Sequence, residues 1–242
     1  MAEMVEAVLN GHYKIILPKH RADRPEWYRP EGWEGPRLDR LKGEIGWQIH
    51  KGKTPIVYYV GAEEGEMCAL CAMWGADVVM FEPNERVMPN IKAIWGANGL
   101  NMADTFFPGF AGNEIRGNQN LVRVADIEGE VIHDHGFKEL RDPGDIPITT
   151  IDEMVRKTGV IPTLLTMDVE GSEWEVLQGA EKTIDGYKPT IFLSLHPEFL
   201  IDQYKKYSYE VRRWLMDKGY KEQLLDWQHE GHFLYEPIKH FS

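Results

Sequence analysis

Residues 55–65 read Pro55-Ile-Val-Tyr-Tyr-Val60-Gly61-Ala62-Glu63-Glu64-Gly65, and this stretch decides the fold. Its first half, Ile56 to Val60, is a run of β-branched and aromatic residues, which is typical of a buried parallel strand. The strand is predicted to end at Gly61, and a largely apolar helix is predicted to begin after Gly65. A glycine-bounded turn between a strand and a helix lets a ligand approach the backbone closely, and the helix start attracts a negative ligand group.

A second predicted strand, Val78 to Phe81, ends at the carboxylate of Glu82, which lies 21 positions after Gly61 (82 − 61). In a βαβ nucleotide-binding unit, an acidic side chain about 20 residues after the glycine turn binds the ribose hydroxyls. The spacing therefore predicts a site for an adenosine-containing cofactor. Its predicted contacts are Gly61, Ala62, Gly65 and Glu82.

The charges of the turn help to discriminate between cofactors. The dinucleotide fingerprint G-x-G-x-x-G is replaced here by G-x-x-x-G, with Glu63 and Glu64 where a pyrophosphate would lie. Because like charges repel, an NAD-dependent oxidoreductase is the weaker alternative. S-adenosylmethionine (SAM) carries a sulfonium and an ammonium, and a carboxylate such as that of Glu63 attracts both. In another interpretation, both glutamates only occupy the first helical turn, where the helix macrodipole favours acidic residues.

The composition is that of a globular protein with an acidic balance of charge. The chain has 242 residues, of which 43% are hydrophobic and 27% charged, and its net charge is −12. This length suits one α/β domain, and the negative charge argues against DNA or RNA as a partner. The sequence contains neither a long apolar segment nor a basic, apolar N-terminal signal, so we expect a cytoplasmic protein without membrane contact. A solvated basic arm is expected from Lys14, Lys19, His20, Arg21 and Arg24.

Two short motifs could be mistaken for metal sites. Cys68 and Cys71 form an isolated C-x-x-C inside the predicted helix, where buried small side chains are a better interpretation than redox or metal binding. His133-Asp134-His135 lacks a visible third ligand. We therefore expect no bound metal and no dependence on one. If activity did depend on a divalent ion, the expected ligands would be Asp168, Glu170 and His196.

The remaining pattern predicts a Rossmann-like, doubly wound α/β fold with a mostly parallel sheet. Residues 1–54 are expected to form an irregular arm and a helix, Leu38 to His50, and residues 55–242 the cofactor-binding domain. Capping boxes predict helix starts at Thr150–Glu153 and Ser172–Glu175. Further strands are predicted at Ala103–Phe107, Leu121–Val124, Glu130–Ile132, Leu164–Asp168 and Pro189–Leu195, with a closing antiparallel hairpin at Leu224–Trp227 and His232–Tyr235. In such a sheet Phe110, just past the third strand, would border the adenine.

Several motifs occur in the order seen in FkbM-type methyltransferases, a family that the chain resembles over roughly residues 55 to 200. They are Val60-Gly-Ala-Glu-Glu-Gly65, Phe81-Glu-Pro83, Thr150-Ile-Asp-Glu153, Met167-Asp-Val-Glu-Gly-Ser-Glu173, Glu175-Val-Leu-Gln-Gly-Ala180 and Leu195-His196. The resemblance implies a class I SAM-dependent fold and methylation of hydroxyl groups on saccharides or other small metabolites.

Two positions depart from the pattern of the family. The family usually has Asp two residues before the first glycine, where this chain has Tyr59, and Asn where this chain has Glu63. Both positions lie at the methionine end of the cofactor, and Glu63 could replace the missing Asp. The departures leave open the alternative of a non-catalytic cofactor-binding protein with the same fold.

Asp168 and His196 are the predicted catalytic residues. Asp168 ends the predicted strand Leu164–Asp168 and His196 follows the predicted strand Pro189–Leu195, and the carboxyl ends of such strands bind ligands in open α/β sheets. An aliphatic hydroxyl is a poor nucleophile, so a base should contribute about 10²–10⁴-fold to methyl transfer. A neutral histidine with a pKa near 6.5 suits this role. Alternatively, His196 caps nearby backbone, and Asp168 orients its loop or the cofactor's ammonium.

Overall fold

The computed structural model describes residues 3–23, 35–132, 144–227 and 230–238. Residues 24–34 of the expected N-terminal arm, with Arg24 of its basic set, and the His133-Asp134-His135 motif lie outside the described residues. The strands are β1 (Met4–Leu9), β2 (Tyr13–Pro18), β3 (Ile56–Val60), β4 (Asp77–Phe81), β5 (Thr105–Phe107), β6 (Phe110–Ala111), β7 (Val122–Arg123), β8 (Ile148–Thr149), β9 (Leu164–Met167), β10 (Thr190–Leu195), β11 (Tyr220–Trp227) and β12 (Gly231–Pro237). The helices are α1 (Lys19–Ala22), α2 (Gly35–His50), α3 (Glu66–Met73), α4 (Met88–Ala97), α5 (Ile151–Thr158), α6 (Glu173–Gly179), α7 (Glu181–Tyr187), α8 (Pro197–Tyr204) and α9 (Ser208–Asp217).

A large sheet with the strand order β11-β12-β10-β9-β3-β4-β5-β7 forms the centre of the molecule. Its five middle strands, from β10 to β5, are parallel, whereas β12, β11 and β7 run antiparallel to their neighbours at the two ends. The first strand of the predicted unit, β3, lies between β4 and β9, so the strand order changes direction beside its carboxyl end. Ligands bind at this position in open α/β sheets. The predicted fold class is confirmed.

Helices cover both faces of this sheet because successive side chains of its buried strands point in opposite directions. Tyr59 faces one core, which contains apolar residues of α2, α3 and α4. Its neighbour Tyr58 faces a second core, which contains apolar residues of α5, α6, α7 and α9. This alternation explains why the strand of β3 has no polar position. The sheet therefore has two apolar faces, and its edges and strand ends remain for polar chemistry.

Residues 4–18, for which the sequence indicated no regular element, form an antiparallel hairpin of β1 and β2. The hairpin packs into the first core through Leu9, Ile15 and Leu17. Asn98, at the end of α4, fixes its position, because the Asn98 side chain accepts the backbone N–H of Ile16 at 2.9 Å and donates to the Ile16 carbonyl at 2.8 Å. The N-terminal part of the chain is thus joined to the sheet by an apolar contact and a paired hydrogen bond.

Local sequence patterns predicted some helix starts and short strands correctly and others incorrectly. The helix start predicted at Thr150 is confirmed, since the Thr150 hydroxyl accepts the Glu153 N–H at 2.9 Å, although the Glu153 carboxylate binds Arg156 rather than completing the capping box. The helix start predicted at Ser172 is also confirmed, because Ser172 is the N-cap of α6, but the capping box is wrong, because Ser172 makes no side-chain capping bond. The strand predicted at Glu130–Ile132 is absent from the described residues, and the parallel pair of β6 and β8 was not predicted. The C-terminal hairpin is confirmed.

The two cysteines of α3 belong to the core. Cys68 and Cys71 are both free and fully buried. Burial raises the pKa of the Cys71 thiol to about 12 and that of Cys68 well above its usual range. Both thiols therefore stay protonated, as the core interpretation requires. Within the described ranges, no helix has the length and apolar character that crossing a membrane requires.

Candidate functional site

The turn after β3 is built so tightly that only glycine fits at its ends. A Cβ atom on Gly61 would lie 1.9 Å from the backbone oxygen of Asp168, and Gly61 has a φ of +83°. A Cβ atom on Gly65 would lie 2.9 Å from Ile91, and its φ is +91°. Positive φ angles and such close approaches exclude other residues. The turn therefore lies directly against the loop that follows β9 and begins at Asp168.

Glu82 fastens this turn to the end of β4. One of its carboxylate oxygens accepts the Glu63 N–H at 3.0 Å, and the other accepts the Asn84 N–H at 2.9 Å. The side chain is buried, and burial raises the pKa of Glu82 to about 7. Each carboxylate oxygen can accept further hydrogen bonds, so Glu82 still has acceptor capacity for ribose hydroxyls. The bond to Glu63 places Glu82 beside the turn, and a contact of Glu82 with ribose stays a prediction.

The N-terminal segment partly compensates the negative charge of the acidic residues in and next to the turn. Arg21 of α1 bonds to Glu63 at 3.0 Å and to Glu66, and it lies 3.8 Å from Glu64. His20 bonds to Glu64 at 2.8 Å. Because the Arg21 side chain is only 2% exposed, this is a buried ion cluster. The expected solvated arm is wrong for His20 and Arg21, although Lys14 and Lys19 are exposed.

Glu63 and Glu64 occupy different environments, and neither lies in a helix. The helix begins at Glu66, so the interpretation that both glutamates decorate its first turn is wrong. Glu64 is buried and also accepts a bond from Asn90 at 2.7 Å. The Glu63 side chain is 48% exposed, and its backbone has a φ of 47°. A positive φ is uncommon for glutamate, and residues in such backbone conformations cluster in functional turns.

Arg37 of α2 occupies the place where the first departure from the family pattern occurs. Its guanidinium donates to the Tyr59 hydroxyl at 3.2 Å, to the Thr166 hydroxyl at 2.9 Å and to the Asp168 carboxylate at 3.2 Å. Arg37 is buried, so these bonds fix the orientation of Asp168. At the position where the resemblance implies an Asp, the Tyr59 hydroxyl thus accepts a hydrogen bond from Arg37.

His196 lies among carboxylates at the end of β10. Its Nδ1 is 2.6 Å from a carboxylate oxygen of Glu173, and its Nε2 is 2.7 Å from a carboxylate oxygen of Glu230. The same Nε2 lies 3.6 Å from Asp168 and 3.6 Å from Glu170. Because β9 and β10 are parallel neighbours, Asp168 and His196 come together as predicted. We call Asp168, His196 and Glu230 the carboxylate–histidine cluster.

These surroundings set the charges of the cluster. Burial alone would lower the pKa of His196, but its bonds to Glu173 and Glu230 and the charge of Asp168 raise it to about 11. Burial alone would raise the pKa of Asp168, but Arg37 and His196 hold it below its usual value. At neutral pH the structure therefore favours an imidazolium at His196 beside an ionised Asp168. The neutral histidine base expected from the sequence is not favoured here.

The other predicted cofactor contact, Phe110, lies in a different element from the turn. It begins β6, and its backbone pairs with Ile148 of β8 rather than with the cofactor turn. Phe107, at the end of β5, is connected to the site more directly, because its carbonyl accepts the Glu82 N–H at 3.2 Å. An adenine contact by Phe110 stays a prediction.

Sequence reasoning missed the residues that hold the site together. A sequence motif could have indicated Glu173, because this residue ends the Asp168-Val-Glu-Gly-Ser-Glu173 motif at the start of α6. Arg21 and Arg37 lie in the N-terminal segment, where the sequence shows no periodic pattern before the helix. Glu230 had no signal, because it lies at the turn of the C-terminal hairpin.

Comparisons with known proteins give this geometry a context. A solved structure of a methyltransferase FkbM from Methylobacillus flagellatus KT has a TM-score of 0.52 and 20% identity, over 75% of this chain and 43% of that one. A SAM-dependent methyltransferase from Agrobacterium tumefaciens has a TM-score of 0.52 and 10% identity, over 98% of this chain and 71% of that one. At these identities the likeness shows the fold alone. This chain spans less than half the length of the first structure.

The strand order and these structures define the class I methyltransferase fold. A family model described as the methyltransferase FkbM domain matches residues 59–222, which is more than half of the chain. The chain therefore belongs to the FkbM methyltransferase family. A comparison with curated proteins finds no match.

Proposed function

We propose that the protein transfers a methyl group from SAM to a hydroxyl of a saccharide or another small metabolite. The observation that carries this proposal is the contact between the two halves of the site. The glycine turn and the start of the Asp168 loop approach so closely that a Cβ on Gly61 would lie 1.9 Å from the Asp168 oxygen. A cofactor in the turn and an acceptor at the cluster would thus be neighbours.

The residues present fit SAM. The turn lacks side chains at Gly61 and Gly65, where a ligand must approach the backbone. Glu82 offers carboxylate oxygens at the distance along the chain that suits ribose hydroxyls. Carboxylates of the turn and of the Asp168 loop give this edge of the sheet a negative character, which favours a sulfonium and an ammonium over a pyrophosphate.

The chemistry needs alignment more than covalent participation by the protein. SAM supplies an electrophilic methyl group, so the acceptor oxygen forms a bond to the methyl carbon while the carbon–sulfur bond breaks and sulfur keeps the electron pair. The residues of the site have to hold the acceptor oxygen in line with that bond, and such positioning supplies much of the rate. They also have to receive the hydroxyl proton.

Asp168 is the residue that we assign to the acceptor. Its side chain is 24% exposed, whereas those of His196 and Glu230 are each 6% exposed. The bond from Arg37 fixes one of its oxygens, and the other faces His196 at 3.6 Å. The exposed part of this carboxylate can accept the hydroxyl hydrogen bond and then the proton. His196, as an imidazolium, keeps Asp168 ionised and oriented.

The acceptor class follows from charge and from the family. The net charge of −12 disfavours nucleic acid, and the two arginines of the site, Arg21 and Arg37, are already paired with carboxylates. A neutral polyhydroxylated acceptor needs hydrogen-bond acceptors rather than cations, and the cluster supplies them. A cytoplasmic location and the absence of a membrane partner stay predictions.

Methyl transfer from SAM labelled in its methyl group tests the proposal. The protein is incubated with a fractionated pool of neutral saccharides and hydroxylated metabolites, and products are examined by mass spectrometry for a labelled O-methyl group. We expect labelled product with the parent, a rate at least tenfold lower with Asp168→Asn, and an unchanged rate with Glu198→Gln, an exposed carboxylate at the start of α8. Labelling of nitrogen or carbon alone, or equal rates in the parent and Asp168→Asn, would contradict the assignment.

A further inference from the structure

We infer that Asp168, His196 and Glu230 form a binding site for one divalent metal ion. Each of the three residues offers one ligand atom, and these atoms all lie within 4.8 Å of one another. The Nε2 atom of His196 is 2.7 Å from Glu230 and 3.6 Å from Asp168. Ligand atoms about 2.0–2.2 Å from a shared ion lie at comparable distances from each other. Accepting an ion therefore needs small side-chain shifts and the loss of the Nε2 proton of His196, which the ion would displace.

The orientation of His196 supports a ligand role. Histidines that bind metals almost always donate their second ring N–H to a carboxylate or a carbonyl, which fixes the ring and its tautomer. Here the Nδ1 atom of His196 is held by Glu173 at 2.6 Å, and Glu173 is fully buried. Glu173 is itself positioned, because the same oxygen accepts the Gly171 N–H at 3.1 Å. Nε2 is thereby directed at Asp168 and Glu230.

An independent observation comes from His232 on β12. Its side chain is only 1% exposed, and its Nδ1 bonds to the Ser194 hydroxyl at 2.9 Å. Its Nε2 is buried, makes no hydrogen bond within the described ranges and lies 3.7 Å from the second oxygen of Glu230. A buried nitrogen without a partner is costly. A metal-bound water beside Glu230 would give this nitrogen a hydrogen-bond partner.

The charges of the surroundings also favour a cation. Four carboxylates approach His196, from Asp168, Glu170, Glu173 and Glu230. Arg37 neutralises one oxygen of Asp168, which leaves its other oxygen for the ion. One imidazole nitrogen and two carboxylate oxygens form a mixed set that suits Mn²⁺ and related ions. The absence of cysteine from the set argues against a thiolate-type site.

The ion would deepen the proposed function, and this part of the inference rests on that function. A metal ion held by three protein ligands keeps open positions, through which it can bind an acceptor hydroxyl and lower its pKa. In that case Asp168 would hold the ion rather than act as the base, and the acidified hydroxyl would release its proton to water. An acceptor with two neighbouring oxygens would bind best, because both oxygens can reach one ion.

Mn²⁺ alone is the probe for the test. Free Mn²⁺ gives an electron paramagnetic resonance signal that falls when the ion binds, so a titration of the apo protein gives stoichiometry and affinity without any activity measurement. We expect one Mn²⁺ per chain, and at least about tenfold weaker binding for Glu230→Gln and for Asp168→Asn. The control Glu198→Gln, which removes an exposed carboxylate two residues after His196, should bind as the parent does.

Thermal unfolding with and without Mn²⁺ is the second measurement. Because an ion that binds only the folded state stabilises it, the melting temperature of the parent and of Glu198→Gln should rise with Mn²⁺, and that of a folded Glu230→Gln should not. A parent that binds no Mn²⁺, or a Glu230→Gln variant that binds it as tightly as the parent, overturns the inference. Binding of S-adenosylhomocysteine in the presence of a chelator reports on the proposed function separately.

Discussion

Substitution of Arg21 tests whether the N-terminal segment neutralises the cofactor turn. The change is Arg21→Met, which keeps much of the apolar stem of the side chain and removes the charge. In the parent, the guanidinium lies within 3.8 Å of Glu63, Glu64 and Glu66. The Glu64 and Glu66 side chains are almost fully buried, so the variant would leave two carboxylates in the interior with less compensation.

The expected loss follows from this burial. Removing one partner of a buried ion pair destabilises a protein by about 3–5 kcal/mol, because the remaining charge is left without compensation. His20 and Asn90 still bind Glu64, so we expect a value near the lower end, about 3 kcal/mol. Urea unfolding followed by tryptophan fluorescence gives the free energy of unfolding by linear extrapolation.

Two further variants make the result interpretable. Lys19→Met removes a positive charge from the same helix, but Lys19 pairs with Glu3 in solvent, so little change in stability is expected. Glu66→Gln combined with Arg21→Met should recover part of the loss, because it removes one of the uncompensated charges. If Arg21→Met is no less stable than Lys19→Met, the buried ion cluster does not stabilise the turn.

Two other predictions concern the turn itself. The pKa of Glu82 is raised to about 7, and the ionised carboxylate is the better acceptor for ribose hydroxyls. The affinity for S-adenosylhomocysteine should therefore increase about tenfold from pH 6 to pH 8 and stay constant at higher pH. Calorimetry across this range measures it, and equal affinity at both pH values would count against a ribose contact by Glu82. The Gly61→Ala variant should be less stable than the parent by about 1–3 kcal/mol from backbone strain alone, because the φ of Gly61 is +83°. The new Cβ would add a steric clash, because it would lie 1.9 Å from the Asp168 oxygen. Urea unfolding measures this loss, with Gly52→Ala as the control, since Gly52 shares a positive φ but has no atom near its Cβ position.

Local patterns predicted the framework of the molecule well. The apolar run of β3, the glycines after it and the carboxylate after β4 specify a strand, a turn and a second strand from neighbouring residues alone. Asp168 and His196 could be paired because parallel strands that follow each other in this topology tend to be neighbours, and β9 and β10 are. These inferences depend on short-range sequence and on a general rule of topology.

The contacts that define the electrostatics could not be predicted in this way. Arg37 reaches Asp168 over 131 positions of sequence, and Arg21 reaches Glu63 over 42. Such pairs depend on how a helix or hairpin docks on the sheet, which periodicity does not specify. A surface arm and a buried ion cluster have the same basic residues, so the sequence indicated the wrong one for Arg21.

The charge state of His196 illustrates the same limit. A histidine alone suggests a base with a pKa near 6.5. The structure adds Glu173 and Glu230, of which only Glu173 lies in a recognisable motif, and together with Asp168 they raise the pKa to about 11. The identity of the residue was predictable, whereas its protonation state depended on partners from distant parts of the chain.

The central claim is that the turn between β3 and α3 binds the SAM cofactor, and titration calorimetry with S-adenosylhomocysteine tests it most directly. We predict one site per chain in the parent, and binding weaker by about 1–3 kcal/mol in Glu82→Gln through a lost charged hydrogen bond. Glu85→Gln, which changes an exposed carboxylate three residues further on, should bind as the parent does. A parent that binds NAD but not S-adenosylhomocysteine, or a Glu82→Gln variant with parental affinity, would contradict the claim.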